Sequence, residues 1–165
     1  MHRIFKMKDR LTAKVIMKAL GRIHTQSLIS TQQLGIVQST WKQVEPIAEQ
    51  AAMLFYDKLF ELDPSLKSLF KTDMGDQGLK LMQTISFVVN GLGNPETIIP
   101  VVQALGERHK GYGVEAQHYD TVAAALLWTL EQGLGEMFTD DVGQAWVAVY
   151  TLLATTMQQA AEKAA

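Results

Sequence analysis

Apolar residues recur at intervals of three and four along nearly all of this chain and almost nowhere alternate with polar ones. That period suits amphipathic helices and disfavours a sheet, so an all-α fold is expected. Proline, glycine and capping residues then divide the text into elements. Ser30 followed by Gln33 reads as a capping box opening a helix that carries Leu34, Val37 and Trp41. Pro46, a favoured first-turn residue, starts a second helix through Ala52, Phe55, Tyr56, Leu59 and Phe60. Asp63-Pro64 opens a short helix ending near Leu69-Phe70, and Asp73 caps the next, whose stripe of Gln77, Leu81, Ile85 and Val88 stops at Gly91 and Gly93. Asn94-Pro95 begins another, carrying Ile98, Val101, Val102 and Leu105 to His109, and Gly111 and Gly113 end it. Two long helices complete the chain, one from about Glu115 to Gln132 and one from about Thr139 to the C-terminus. There is no internal repeat or low-complexity linker.

Length and charge narrow the functions open to such a bundle. A chain of 165 residues fits one domain with a core of ordinary size. Cysteine is absent, which excludes disulfides, thiolate metal ligands and covalent haem attachment through a Cys-x-x-Cys-His motif. The four histidines, His2, His24, His109 and His118, show none of the paired spacings of a zinc site. The net charge of −2 hides a division: residues 1–24 hold seven basic side chains against Asp9 alone, for +6, and the remainder holds eight basic and sixteen acidic ones, for −8. The expected organisation is therefore a basic extension over residues 1–28 followed by an acidic domain over residues 31–165. An acidic body lacks the basic face that phosphate binding needs, which argues against a nucleic-acid partner. No apolar run approaches the roughly 20 residues of a membrane span, and a cytoplasmic location is expected.

Chemistry concentrates on a few positions spread over several helices. His109, in Gly106-Glu107-Arg108-His109-Lys110, is preceded by Tyr56, Phe70 and Gln77. One imidazole opposed by a phenol and an amide on other helices suits an axial metal ligand facing hydrogen-bond donors, which is the arrangement of a haem site. Gln77 and Leu81 are four apart and share a helix face, placing a polar donor beside an apolar wall. Tyr56 offers a second donor, and Phe70 either presses a flat ring against a porphyrin or belongs to the ordinary core. Leu105 and Val114 flank His109 and would close its side of the macrocycle. Tyr119 either approaches that same side with its hydroxyl or is a half-buried core tyrosine. His118 reads as a solvated residue at a helix start.

From about Leu34 to about Gln159 the chain resembles the bacterial single-domain globins and the globin part of flavohaemoglobins. The resemblance is carried by Phe55-Tyr56-Asp57-x-Leu59-Phe60, Asp63-Pro64-x-Leu66-Lys67-x-Leu69-Phe70, Gln77-Gly78-x-Lys80-Leu81, His109-x-x-Tyr112-Gly113-Val114 and Ala145-Trp146-x-x-x-Tyr150-x-Leu152-Leu153. It implies a globin fold that holds haem b non-covalently. It further implies His109 as the proximal iron ligand, Tyr56 and Gln77 as the distal hydrogen-bonding pair and Leu81 as the apolar distal wall. Phe70 would stack on haem, Tyr119 would be the family's proximal tyrosine, and Lys80 would reach a haem propionate. One position departs from the pattern: where flavohaemoglobin-type globins carry a glutamate late in the last helix, this chain has Ala161, with Glu162 beside it.

The function implied is binding of dioxygen, carbon monoxide and nitric oxide, with nitric oxide dioxygenase-type reactivity given an external reductant or reductase. A stand-alone gas or redox sensor and an oxygen storage or delivery protein are the alternatives. Residues 1–24 lie outside the resemblance. Ile4, Met7, Leu11, Val15, Ala19 and Ile23 recur at helical spacing among the basic side chains, so a helix there would be amphipathic and basic. That pattern suits an anionic membrane surface, a homodimer contact, a transit-like leader or packing on the chain's own acidic body.

Overall fold

The structure is a computed structural model and describes residues 29–164; the N-terminal helix expected within residues 1–28 lies outside the described residues. Six α-helices follow one another: α1 (Thr31–Val44), α2 (Ala48–Leu62), α3 (Met74–Asn90), α4 (Pro95–Gly111), α5 (Ala116–Leu134) and α6 (Asp140–Lys163). Short 3-10 turns lie over Glu45–Ile47, Pro64–Leu69 and Gly135–Met137, and no strand occurs among the described residues.

The expected caps form. Gln33 N–H donates to Ser30 Oγ at 3.0 Å and Ser30 N–H donates to Gln33 Oε1 at 3.2 Å, closing the reciprocal box that opens α1. Asp73 accepts from the Asp76 amide at the start of α3, and Thr139 accepts from the Val142 amide at the start of α6. Two boundaries differ from expectation. Pro46 sits in a 3-10 turn and α2 begins only at Ala48, while the Asp63-Pro64 segment stays 3-10 throughout its six residues. In each, a proline that cannot donate starts a turn too short to settle into α-helical pairing.

Two indoles organise the main core. The rings of Trp41 and Trp146 stand 6.0 Å apart at 60°. Trp146 Nε1–H donates to Thr40 Oγ1 at 2.9 Å, Thr40 Oγ1 donates on to the Ile36 carbonyl at 2.7 Å, and Trp41 Nε1–H donates to Ser86 Oγ at 2.9 Å. Each buried indole therefore fills volume without leaving its N–H unpaired, and α1, α3 and α6 are held in one register. Val37, Val44, Leu130, Ala145 and Val149 close around the pair.

The most extensive helix pairing is α4 on α6. It depends on Gly106, where a Cβ would overlap the carbonyl oxygen and Cα of Met157. The two backbones touch there, and only glycine permits it. Higher up α4, Pro100 lies exposed inside the helix and has no N–H to donate to the Glu96 carbonyl.

This crossing predicts opposite outcomes for one substitution at two glycines. Gly106→Ala should lower stability by about 1–3 kcal/mol, since overpacking of a tight contact outweighs the gain of up to ~1 kcal/mol that alanine brings to a helix. Gly35→Ala, inside α1 with nothing within 4 Å of the added Cβ, should raise stability by about 0.5–1 kcal/mol. Urea unfolding midpoints at constant m-value check both.

Candidate functional site

A close crossing of α2 and α3 builds one wall. Gly78 is buried, and a Cβ there would stand 3.0 Å from the Ala52 Cβ. Tyr56 lies one turn beyond Ala52 and Gln77 immediately precedes Gly78, so the contact that brings the helices together also brings these side chains together. Burial pushes the Tyr56 phenol above its ordinary range, and the neighbouring Gln77 side chain works in the opposite direction. Thr72 Oγ1 donates to Gln77 Oε1 at 3.2 Å. The Gln77 NH₂ and the Tyr56 hydroxyl are both groups able to donate.

Rings surround that phenol. Tyr56 meets Phe55 at 5.0 Å, Phe70 at 5.4 Å and Phe60 at 6.0 Å between centroids, and Phe60 meets Phe70 at 5.5 Å. Most of these contacts are edge-on, the geometry that aromatic quadrupoles favour. Phe70 is half-buried at the end of the Pro64–Leu69 turn, and Leu81, one turn beyond Gln77, packs against both core clusters.

His109 stands on the other wall, α4. Its Nδ1 lies 2.7 Å from the Leu105 carbonyl, which can only accept, so Nδ1 carries the proton and Nε2 keeps its lone pair in the neutral ring. Burial pulls the His109 pKa below the ordinary histidine range; the Leu105 bond opposes this and the Arg108 charge adds to it. A neutral imidazole with its other nitrogen oriented by a carbonyl is the form that ligates metals. No carboxylate is among the groups that act on this ring. Near the end of α6 the Ala161 carbonyl instead accepts from Lys110 Nζ at 3.0 Å, and Glu162 is exposed.

The walls meet at the end of α4. Val114 N–H donates to the His109 carbonyl at 3.0 Å, and Gly113 adopts φ +89°, a left-handed conformation suited to glycine. A Cβ on Gly113 would lie 3.8 Å from Leu69 Cδ2, so the loop following His109 rests against the turn that leads into Phe70. Leu105 and Val114 are half-buried beside it. Tyr119 is buried in α5 and its carbonyl accepts from the Tyr150 hydroxyl on α6. Burial raises the Tyr119 phenol, and burial together with Tyr119 and Asp120 raises that of Tyr150 much further. Lys80 is exposed on α3, outside this cluster. His118 is occupied elsewhere: its Nδ1 accepts from the Glu115 amide at 2.9 Å in a box opening α5.

The Thr72 bond to Gln77, the close approaches at Ala52 and Gly106 and the Tyr150 bond to the Tyr119 carbonyl are contacts that the sequence did not announce. Gly78 and Tyr150 lie within motifs of the sequence, but nothing local marks them as points of contact. Among the described residues no group of three or more His, Asp or Glu side chains could hold a metal ion by itself, so His109 is a lone ligand candidate.

Tyr150→Phe removes one donor from a carbonyl that lies inside α5 and retains its helical partner. The cost should be about 0.5–1.5 kcal/mol, the net worth of one hydrogen bond. Thermal unfolding should show a midpoint lower by roughly 1–6 °C for a domain of this size.

Comparison with known proteins identifies the family. The Globin family model matches residues 53–157. The flavohemoprotein of Chromobacterium violaceum is 29% identical over 133 residues, which cover 79% of this chain and 33% of that protein. The neuroglobin of Danio rerio is 27% identical over 143 residues, covering 78% of this chain and 90% of that one. The chain thus spans about a third of the length of the flavohemoproteins it matches. Among solved structures, an engineered carbene transferase from Rhodothermus marinus superposes with a TM-score of 0.76 at 24% identity, over 82% of this chain and 95% of that one, a likeness of fold.

Proposed function

We propose that this chain, which belongs to the globin family, holds haem b between the His109 wall and the Tyr56–Gln77 wall, binds dioxygen there, and supports nitric oxide dioxygenase-type reactivity when an external reductant supplies electrons. The observation that carries the reading is an oriented imidazole on one wall facing a phenol and an amide on the other. His109 spends Nδ1–H on Leu105 and presents Nε2, while the buried Tyr56 and the half-buried Gln77 stand together as groups able to donate.

The apolar residues between the walls fit a flat macrocycle. Phe70, Leu81, Leu105 and Val114 are all only half-buried, which leaves apolar surface lining the gap. Lys80 is exposed on α3, where an ammonium would suit a propionate at the rim. When bound, haem supplies an open coordination position for dioxygen, carbon monoxide or nitric oxide and, with an electron from outside, the oxidation of nitric oxide by dioxygen to nitrate. His109 would hold the group in place and set its orientation through the Leu105 bond. Tyr56 and Gln77 would donate to an acceptor that gains negative charge, and Leu81 would exclude water beside them. Two donors should slow the escape of such an acceptor, which favours tight retention over delivery. Similarity to flavohemoproteins supports the reactivity with nitric oxide.

Two variants test the reading. His109→Ala should lose haem or leave it without its strong axial ligand, seen as loss of pigment and a changed ferrous-carbonyl spectrum, while His118→Ala, whose ring caps α5, should leave both unchanged. Tyr56→Phe should speed dioxygen release by about 5- to 150-fold, corresponding to one charge-assisted hydrogen bond of roughly 1–3 kcal/mol. Carbon monoxide, which gathers less charge, should respond less. Equal stopped-flow release rates in Tyr56→Phe and the parent would overturn the role of the phenol.

A further inference from the structure

The rim where the two walls meet carries positive charge on an otherwise acidic body. Residues 64–72 hold Lys67 and Lys71 and no acid, and residues 108–114 hold Arg108 and Lys110 and no acid. Half of the eight basic side chains that follow residue 24 therefore lie on two short stretches of a body of −8, and all four are exposed. The stretches adjoin, since a Cβ on Gly113 would lie 3.8 Å from Leu69 Cδ2. Lys67 Nζ lies 5.8 Å from the centroid of Phe60, which packs on Phe70, and the Arg108 charge acts on the His109 ring. The acids at the margins are mostly committed. Asp63 accepts from Ser65, Asp73 from the Asp76 amide and Glu115 from Gln117, and Glu107, exposed beside Arg108, is the exception. Among the cations stands Tyr112, 62% exposed, with its ring centroid 6.2 Å from that of His109. A large ring left in water among basic side chains suits a protein contact, because tyrosine and arginine are the residues that anchor interfaces.

We propose that this rim, with Lys67, Lys71, Arg108 and Lys110 around Tyr112, is the docking face for an acidic electron-donor protein. The proposal rests on the haem reading above and names where the external reductant delivers its electron. One electron leaves the partner's iron–sulfur or flavin group and reduces ferric iron to ferrous, with no bond made or broken on the chain. Such transfer weakens steeply with distance, and a partner seated on Tyr112 is separated from the His109 ring by one side chain. The surrounding acidic body repels an acidic partner while the rim attracts it, so the field of the chain orients the encounter. Redox encounters bury less than about 1,200 Å² in total, which suits a compact rim. The Tyr112 contact with His109 favours a redox partner over an anionic lipid surface, which has no electron to give.

Stopped-flow reduction of the ferric, haem-loaded full chain under carbon monoxide tests the proposal, with a reduced acidic plant-type ferredoxin as the protein donor and photoreduced lumiflavin as a small neutral one. Lys71→Glu should slow reduction by ferredoxin about tenfold at low salt, and added salt should slow the parent and shrink the difference. Lys42→Glu makes the same change of net charge on α1, outside the rim, and should have little effect. Tyr112→Ser should slow reduction by ferredoxin at high salt as well as low, since its part is contact rather than charge. Lumiflavin should reduce the parent and both lysine variants at one rate, which shows that the pocket is intact. Carbodiimide cross-linking to the ferredoxin, followed by peptide mass spectrometry, should place links at Lys67 and Lys71. A chain that forms no pigment fails the haem reading, and links at the rim then support the docking face on their own. Equal slowing by Lys71→Glu and Lys42→Glu, or links at other lysines in place of the rim, would overturn the proposal. So would capture of the chain by anionic vesicles that Lys71→Glu abolishes and ferredoxin does not compete with, in favour of a lipid surface.

Discussion

The contact of two helix backbones at Gly106 and Met157 is the constraint from which the site takes its form. Because α4 rests directly on α6, the turn that follows Gly106 has little freedom, and His109 lies three residues along it. The Leu105 carbonyl then fixes the ring about its own axis. Position thus comes from backbone packing and orientation from one hydrogen bond, and neither requires a charged partner. This is why an alanine at position 161 is compatible with an ordered imidazole: Lys110 closes on the carbonyl of Ala161, binding α4 to α6 a second time just past His109.

The facing wall uses the same device at Gly78 and Ala52. Close approach of α2 and α3 puts two polar side chains in a buried place where both would be costly if unpaired. The Thr72 hydroxyl donates to Gln77, and Gln77 and Tyr56 stand side by side as two groups able to donate. Around Tyr56 the rings of Phe55, Phe60 and Phe70 keep the dielectric low, which strengthens whatever bond its hydroxyl makes.

The sequence made the elements legible because their signals are local. The Ser30–Gln33 box, the Asp73 and Thr139 caps and the Gly91 and Gly113 stops each act within one turn, and each is found where its residues predict. The residues of the candidate site were legible through the resemblance that their order carries. Harder to see were features created by distant segments meeting: the backbone overlap at Gly106, the Ala52 approach to Gly78, the Thr72 bond to Gln77 and the Tyr150 bond to the Tyr119 carbonyl. Nothing in the neighbourhood of Gly106 distinguishes it from a helix-weakening glycine until α6 is placed beside it. Likewise Glu115 and His118 form a cap whose residue types are unusual for one, so His118 read merely as solvated.

Pro100 gives the His109 wall an uneven mechanical character. Its missing N–H removes one rung from the ladder of α4, and the residues around it, from Pro95 to Thr97 and from Ile99 to Val101, are exposed. Opening free energy scales with the buried contacts and protected hydrogen bonds that a segment must give up. The first turns of α4 therefore form a soft shoulder, and the turn bearing His109, clamped at Gly106 and again at Lys110, a hard one. A bundle built this way can loosen at the shoulder without disturbing the clamp around His109.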